Sequence, residues 1–200
     1  MTKIQKARLK GRAIHVMRAS EEMKEGVEKR GLIPHKITSD TIPDEHHSFA
    51  EIRVRLIFDA EKPKRIQAGQ TNSVFFIPAT NYERPKKGFV EAKVGMNSIV
   101  ADAGAFEEAL HIFERSKSPY SPSKKEIKQI RDIARKYWST AITYGDFIEQ
   151  YEERAIPRAY QPTKFVYVRK AGARKNIPRI IIRPEILYPN KIRPEQLKVK

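Results

Sequence analysis

Positive charge at the two ends of this 200-residue sequence constrains its structure more than any other feature. Residues 158–200 contain 12 Lys or Arg and only two acids, Glu185 and Glu195. Residues 1–12 contain five Lys or Arg and no acid, whereas residues 13–157 contain 23 bases and 22 acids. The net charge of +16 therefore lies on two basic segments around a nearly neutral body. This division predicts a basic N-terminal arm or helix start, a folded body and a C-terminal docking segment with these same boundaries.

The composition limits the class of protein. A body of roughly 145 residues is long enough to bury a hydrophobic core. The sequence contains no Cys, which excludes disulfides and thiolate metal sites. No apolar run approaches the roughly 18–20 residues that a membrane span needs, and none follows the basic N-terminus as it would in a signal peptide. We therefore expect no membrane contact and no secretion by a signal peptide.

Apolar spacing in the first half predicts one helix and three strands. Residues 3–30 place apolar side chains at helical spacing. Residues 49–59 alternate apolar and charged side chains, which predicts a strand, and two short strands are predicted at Val74–Ile77 and Phe89–Val94. The basic segment Asn81–Gly88 suits a hairpin connection between them. Three consecutive strands with short links favour an antiparallel meander.

The chain between the third predicted strand and Pro157 is predicted to be helical. Ala105–Arg115 places its apolar side chains on one helix face, and Asp102 is in position to cap it. Ser123 and Glu126 have the spacing of a capping box, in which a hydroxyl and a carboxylate bond to free backbone N–H groups at the start of a helix. A further short helix is predicted at Phe147–Glu153.

The basic C-terminal segment has strand-forming parts. Phe165–Arg169 and Arg179–Arg183 have strand composition, and the loop Lys170–Asn176 between them is basic, which predicts a projecting β-hairpin with a cationic tip. Arg-Pro sequences at Ile182–Glu185 and Ile192–Glu195 predict an extended tail, because Pro fixes φ and lacks an N–H donor. The predicted fold class is α+β, with an antiparallel β-meander packed with α-helices, a basic C-terminal β-hairpin and an extended Pro-rich tail.

The basic segments are the candidate binding surfaces. Clustered Lys and Arg attract phosphate backbones through charge and counterion release. Four aromatic residues are interleaved with these bases and suit stacking on exposed nucleobases, namely Tyr160, Phe165, Tyr167 and Tyr188. An acidic protein partner fits the same charges, so nucleic-acid contact and protein docking both remain open. The candidate residues in contact with a partner are Lys3, Lys6, Arg8, Lys10, Arg12, Lys164, Arg169, Lys170, Arg174, Lys175, Arg179, Arg183 and Arg193.

A second basic surface is predicted on the helix that follows Ser123. Its Lys and Arg residues recur at helical spacing and form one stripe. Such a stripe suits either a phosphate-binding face or an ordinary solvated helix face. The stripe consists of Lys124, Lys128, Arg131 and Arg135.

Three residues suggest an alternative, catalytic interpretation. Glu91 and Lys93 lie two apart on a predicted strand and therefore point the same way. In one class of Mg²⁺-dependent nucleases such a pair binds the metal and positions water, with Asp59 as the candidate acid on a preceding strand. A surface ion pair is the simpler explanation of Glu91 and Lys93 and is preferred here. Asp44–His47 has residue types that ligate metals, but no second cluster accompanies it, and we expect neither a metal nor a cofactor.

The order of elements is similar to that of the tail-completion and head-to-tail connector proteins of tailed bacteriophages. Those proteins often carry an aromatic-x-x-Phe-x-Glu segment and finish with an Arg-Pro-rich strand. Tyr144–Glu149 and Ile181–Glu185 stand in comparable places here. The resemblance implies a non-enzymatic ring subunit around a DNA channel.

We therefore predict a structural or assembly subunit of a large virion or nucleoprotein particle, with basic arms that dock neighbouring subunits or nucleic acid. A homo-oligomer within the larger assembly is expected, in the virion or in the cytoplasm of a host cell. The alternatives are a stand-alone nucleic-acid-binding protein and the Mg²⁺-dependent nuclease.

Overall fold

The chain folds into strands and helices in alternating groups. The computed structural model describes residues 12–16, 21–78, 89–116, 122–158, 161–173 and 177–199. The strands are β1 (Arg12–Val16), β2 (Val74–Pro78), β3 (Phe89–Lys93), β4 (Ile99–Asp102), β5 (Ile142–Thr143), β6 (Tyr151–Arg158), β7 (Gln161–Arg169), β8 (Ile180–Ile181), β9 (Pro184–Tyr188) and β10 (Leu197–Val199). The helices are α1 (Glu21–Arg30), α2 (Phe49–Ala60), α3 (Ala103–Glu114), α4 (Lys124–Thr140) and α5 (Tyr144–Gln150), with a 3₁₀ turn at Pro194–Gln196.

Two antiparallel sheets organise these elements. Seven strands form the larger sheet in the order β10-β3-β1-β2-β9-β4-β5, and β6, β7 and β8 form the smaller one in that order. Each recorded strand pairing is antiparallel. The predicted α+β class, with helices packed on antiparallel sheets, is confirmed.

Residues 12–16 form a strand, so the predicted helix over 3–30 is wrong there. β1 lies between β2 and β3 and pairs with both, and Ala13 is completely buried. Pairing on both edges satisfies the backbone donors and acceptors of the strand, and this outweighs the helical spacing of the side chains. The predicted helix is therefore limited to α1, while 1–11 and 17–20 lie outside the described residues.

Residues 49–59 form the helix α2 and not the predicted strand. Ser48 caps the helix, because its side-chain oxygen accepts a hydrogen bond from the backbone N–H of Glu51 at 3.1 Å. The Ser-x-x-Glu spacing is itself a helix-start signal, and it competes with the two-residue alternation that follows. The buried face of α2 includes three residues spaced four positions apart, namely Ala50, Val54 and Phe58.

The strands predicted at Val74–Ile77 and Phe89–Val94 are confirmed as β2 and β3. They are not neighbours, since β1 lies between them, and with 49–59 helical the predicted order of three consecutive strands does not occur. The hairpin connection predicted at Asn81–Gly88 lies outside the described residues.

The predicted caps of the central helices are confirmed. Asp102 accepts a hydrogen bond from the backbone of Gly104 at 3.1 Å and begins α3. Ser123 and Glu126 form the capping box of α4, and the hydrogen bonds from Ser123 lower the pKa of the Glu126 carboxyl. The short helix predicted at Phe147–Glu153 is shifted: α5 starts earlier, and its last three predicted residues belong to β6.

The predicted C-terminal hairpin is present as β7 and β8, and β6 adds a third strand to it. The tail that follows is largely part of the body. β9 pairs with β2 on one side and β4 on the other, and β10 pairs with β3. Leu32 and Ile192 exchange backbone hydrogen bonds of 3.0 and 2.9 Å. Gly31 packs so tightly there that a Cβ atom would lie 2.0 Å from the Ile192 carbonyl oxygen.

Hydrophobic cores lie on both faces of the larger sheet. One contains Ile186 of β9 with Phe147 of α5 and with Tyr151 and Tyr167 of the smaller sheet. The other contains Leu187 of β9 with side chains of α2, α3 and α4. Because neighbouring residues of a strand point to opposite faces, β9 contributes to both cores.

None of the helices in the described ranges is both long and apolar enough to cross a membrane.

Candidate docking surfaces

Positive charge runs through most of the smaller sheet, and the acids Glu152 and Glu153 of β6 directly precede this run. From Arg154 to Arg183 there are nine Lys or Arg and no Asp or Glu. This stretch includes all of β7 and β8. Tyr151, Tyr167 and Ile181 join the sheet to the core, so the described strands of this stretch are anchored to the body.

Two of the predicted binding residues help to shape the sheet. The guanidinium of Arg169 donates a 2.9 Å hydrogen bond to the carbonyl of Ile177. The ammonium group of Lys170 donates to the carbonyls of Glu149 and Ile148. Both side chains therefore fix the connection between β7 and β8 to its surroundings, in addition to any contact that they make with a partner.

The segment Arg179–Arg183, here called the β8 strip, has two arginines at its ends and three isoleucines between them, of which the central Ile181 is buried. Ile180 is 48% exposed and Ile182 is 44% exposed. The flanking Arg179 is exposed, and the exposed Arg183 forms an ion pair with Glu107 of α3. Large apolar side chains between arginines on a surface are typical of an interaction site.

Asp102 fixes the shape of this strip. Its carboxylate accepts hydrogen bonds from the backbone N–H groups of Ile182 at 3.3 Å and Arg183 at 3.2 Å. Ala103 also donates a backbone hydrogen bond of 2.9 Å to the carbonyl of Arg183. The strip is therefore anchored to the start of α3 through both its N–H and its C=O groups.

The other predicted binding residues are only partly visible. Arg193 is exposed beside Glu195, with 3.9 Å between the charged groups. For Arg12 and Lys164 the structure describes the backbone, in β1 and β7 respectively. The remaining predicted residues lie outside the described ranges and are Lys3, Lys6, Arg8, Lys10, Arg174 and Lys175.

The basic stripe of α4 borders a shallow groove of about 400 Å³. Glu61 accepts hydrogen bonds from Arg135 at 2.7 and 3.3 Å and lies 3.7 Å from Arg131. Its carboxylate, through hydrogen bonds and charge, raises the pKa of Arg135 above its usual value. One end of the stripe is therefore tied to an acid, while Lys124 and Lys128 are exposed at the other.

The three residues of the catalytic alternative lie on two elements, a helix and a strand. Asp59 belongs to α2, and its carboxylate accepts hydrogen bonds from Gln70 and Thr71. Glu91 and Lys93 belong to β3, where Glu91 is only 4% exposed and Lys93 faces solvent. The acid expected on a strand is on a helix, because 49–59 is α2.

The segment Asp44–His47 forms a turn. Asp44 accepts hydrogen bonds of 2.8 Å from the backbones of both His46 and His47, and these bonds lower the pKa of its carboxyl. The His47 ring lies 2.7 Å from a ring nitrogen of His35 and 3.2 Å from the Glu51 carboxylate. Over the ranges that the structure describes, no group of three or more His, Cys, Asp or Glu has the arrangement of a metal site.

The structure contains a buried polar network that the sequence does not indicate. Gln70 donates hydrogen bonds of 2.6 Å to the Tyr137 hydroxyl and 2.9 Å to Glu185. Tyr137 in turn donates to Glu185 at 2.7 Å. Burial raises the pKa of the Glu185 carboxyl, and burial next to Glu185 raises the pKa of Tyr137. In the sequence, Glu185 is one of two acids in a basic tail, and nothing marks it as buried.

Arg55 extends this network to the surface of α2. Its guanidinium donates to the Gln70 carbonyl at 2.8 Å and to Glu51 at 2.9 and 2.6 Å. It also lies 4.7 Å from the ring centre of Phe75 and 5.2 Å from that of Phe106. Glu51 contacts His47, so one chain of polar contacts joins the loop before α2 to α4 and β9. The described contacts of this network all join one secondary-structure element or loop to another.

The network predicts a loss of stability in mild acid. Burial lowers the pKa of His47 from its ordinary 6.5, with smaller contributions from Arg55 and His35, while Glu51 opposes the shift. Below pH 6.5 the unfolded chain therefore takes up a proton before the folded imidazole does, and the free energy of unfolding falls as the pH drops towards the lowered pKa. Urea unfolding at several pH values between 7.5 and 5 measures this slope.

His47→Gln is expected to flatten that slope, whereas His46→Gln, at the exposed neighbour, should leave it unchanged. Glu185 contributes a slope of opposite sign, because its raised pKa makes the fold less stable as the pH rises above its ordinary value of 4.5. The difference between wild type and His47→Gln isolates the histidine. If the free energy of unfolding changed with pH in the same way for wild type and for His47→Gln, His47 would not be responsible for the slope.

Comparisons of this chain with protein-family models, curated proteins and solved structures find no match.

Proposed function

We propose that this protein is a non-enzymatic structural subunit of a large assembly, a virion or nucleoprotein particle, and that it docks through its cationic smaller sheet. The observation that carries the proposal is the run of nine Lys or Arg without an acid that begins in β6 and includes β7 and β8, strands of a sheet anchored to the core. The first and last of these bases, Arg154 and Arg183, pair with Glu152 and Glu107. Like charges held close together repel one another, and a partner of opposite charge relieves this repulsion. The phosphate backbone of a nucleic acid or an acidic face of a neighbouring subunit supplies that charge.

A bacteriophage neck or tail connector is the most specific form of this proposal. Its support is the resemblance of Tyr144–Glu149 and Ile181–Glu185 to the corresponding segments of such proteins. In the structure the first segment lies in α5 and packs below the smaller sheet, and the second runs from β8 into β9. Both segments therefore border the proposed docking sheet.

Neutralising the sheet is expected to abolish association. The test variant removes four charges by the substitutions Lys164→Gln, Arg174→Gln, Lys175→Gln and Arg179→Gln. It spares Arg169 and Lys170, because both donate hydrogen bonds to main-chain carbonyls. A matched control has Gln at positions 36, 64, 125 and 136, where exposed lysines lie outside the smaller sheet. Sedimentation velocity measures self-association, and anisotropy of labelled DNA and RNA duplexes measures nucleic-acid binding.

The wild type and the control are expected to associate in at least one of these assays, and the sheet variant is expected to lose that association. Equal behaviour of the two variants would show that the sheet is not the docking surface. A wild-type protein that neither self-associates nor binds either duplex would contradict the proposal as a whole.

The α4 stripe favours a second candidate, a stand-alone nucleic-acid-binding protein. Lys124 and Lys128 are exposed on one side of the helix, four residues and therefore one turn apart. Phosphate contacts release counterions, so binding by such a protein weakens steeply as salt rises. Duplex binding that changes little across a salt series, with self-association present, would favour the assembly subunit.

A further inference from the structure

The β8 strip combines exposed apolar and basic side chains, and this combination defines the chemistry of a matching partner. It presents Ile180 and Ile182, both nearly half exposed, between Arg179 and Arg183. Within residues 169–183 there are six Lys or Arg and no acid. A matching partner therefore has an exposed apolar side chain with carboxylates on both sides of it.

The chain itself carries a segment of this description in the loop before α2. Ile42 is 81% exposed, and Asp40 precedes it while Asp44 and Glu45 follow. No Lys or Arg lies between residues 37 and 52, so these carboxylates have no basic neighbour along the chain. The segment of residues 40–45 is here called the acidic loop.

The acidic loop is held at both ends. Ile37 is buried and donates a 2.8 Å hydrogen bond to the carbonyl of Thr71. Beyond the loop, His47 contacts Glu51 of α2 at 3.2 Å. Because the ends are fixed, docking of the loop orders few additional degrees of freedom.

We infer that the acidic loop of one copy of this protein docks on the β8 strip of a second copy. Ile42 packs against Ile180 and Ile182, and the carboxylates on either side of it face Arg179 and Arg183. The ion pair that Arg183 forms with Glu107 is exposed and therefore exchanges readily for an intermolecular one. Each copy carries both the site and its ligand. The inference rests on the proposed assembly function and names the surfaces that join its subunits.

Charge reversal in separate molecules tests this contact. Asp40→Lys with Glu45→Lys makes the loop basic and leaves the Asp44 turn intact. Arg179→Glu with Arg183→Glu makes the strip acidic. Each variant alone places like charges opposite each other, so its dissociation constant for self-association is expected to rise roughly a hundredfold in sedimentation velocity at low salt. An equimolar mixture pairs opposite charges at every contact and is expected to associate as the wild type does.

Matched controls separate this effect from net charge. Glu28→Lys with Glu108→Lys, and Lys125→Glu with Lys136→Glu, change the charge equally at exposed sites elsewhere and should leave association unchanged. Ile42→Ser is expected to raise the dissociation constant about tenfold. Thermal unfolding of every variant confirms that it is folded.

Each of four results would overturn the inference. The first is a mixture that associates no better than its two components, and the second is a reversed-loop variant that associates like the wild type. The third is a reversed-strip variant that loses duplex binding but keeps self-association, which would assign the strip to nucleic acid. A wild-type protein that is monomeric at all concentrations but binds duplex would refute this contact and leave the proposed docking function standing.

Discussion

Truncation after Arg183 is expected to unfold the larger sheet. It removes β9 from between β2 and β4, and with it Ile186 and Leu187, which are completely buried in the two cores. Truncating a single buried Leu or Ile to Ala costs about 2–5 kcal/mol, and a domain of this kind is stable by only about 5–15 kcal/mol. Far-UV circular dichroism and amide NMR dispersion measure the loss of structure.

Truncation after Gln196 is the matched control. It removes β10, which lies at the edge of the sheet and pairs only with β3 among the described strands. The shortened chain is expected to remain folded with a lower unfolding midpoint. If the chain that ends at Arg183 also remained folded, β9 could not occupy the middle of the sheet.

Arg55→Ala is expected to lower the free energy of unfolding by about 3 kcal/mol, because it removes one partner of a mostly buried ion pair. The side chains of Arg55 and Glu51 are only 12% and 21% exposed. The change also leaves the Gln70 carbonyl without this donor and removes the guanidinium from the rings of Phe75 and Phe106. Urea unfolding at pH 7.5 measures the loss.

Two substitutions calibrate that result. Arg55→Lys keeps the charge but lacks the planar fork and the ring stacking, so an intermediate loss is expected. Arg135→Ala removes an arginine that also pairs with a carboxylate, Glu61, but on the surface, where ion pairs contribute little. A loss for Arg55→Ala no larger than that for Arg135→Ala would mean that the network adds nothing to stability.

Helix starts were predictable from the sequence because their chemistry is local. Asp102 and Ser123 cap α3 and α4 as their spacing indicates, since each bonds to a backbone N–H two or three residues away. The same signal, Ser48 with Glu51, marks α2, where two-residue alternation indicated a strand. A cap depends on a few neighbouring residues, whereas alternation of apolar residues fits more than one structure until the partner surface is known.

Strand neighbours were not predictable in the same way. β1 is a central strand because β2 and β3 offer it two free edges, and neither edge can be recognised in residues 12–16. Pro184–Tyr188 begins with the Pro of an Arg-Pro pair and was expected in an extended tail. Its conformation is extended, but its place inside the sheet depends on partners far away in the sequence.

The candidate docking surface was partly predictable. Charge counts identify residues 158–200, and strand composition identifies the hairpin. Only the structure distinguishes the roles of the basic residues within this segment. Arg169 and Lys170 donate hydrogen bonds to main-chain carbonyls, whereas Arg179 is exposed on the β8 strip. Glu185 has an environment opposite to the one suggested by its basic neighbours, because its position on β9 places it beside Gln70 and Tyr137.

The position of β9 also sets the order in which the molecule can be completed. Val74 pairs with Tyr188, so β2 has no neighbour on that side until residue 188 has been synthesised. β4 also lacks a neighbour on one side until β9 has been synthesised. Contacts between residues so distant in sequence form slowly, and unpaired strand edges recruit other chains in the meantime. Biosynthesis of this protein therefore includes an interval in which β2 and β4 have been made and the larger sheet is still open between them.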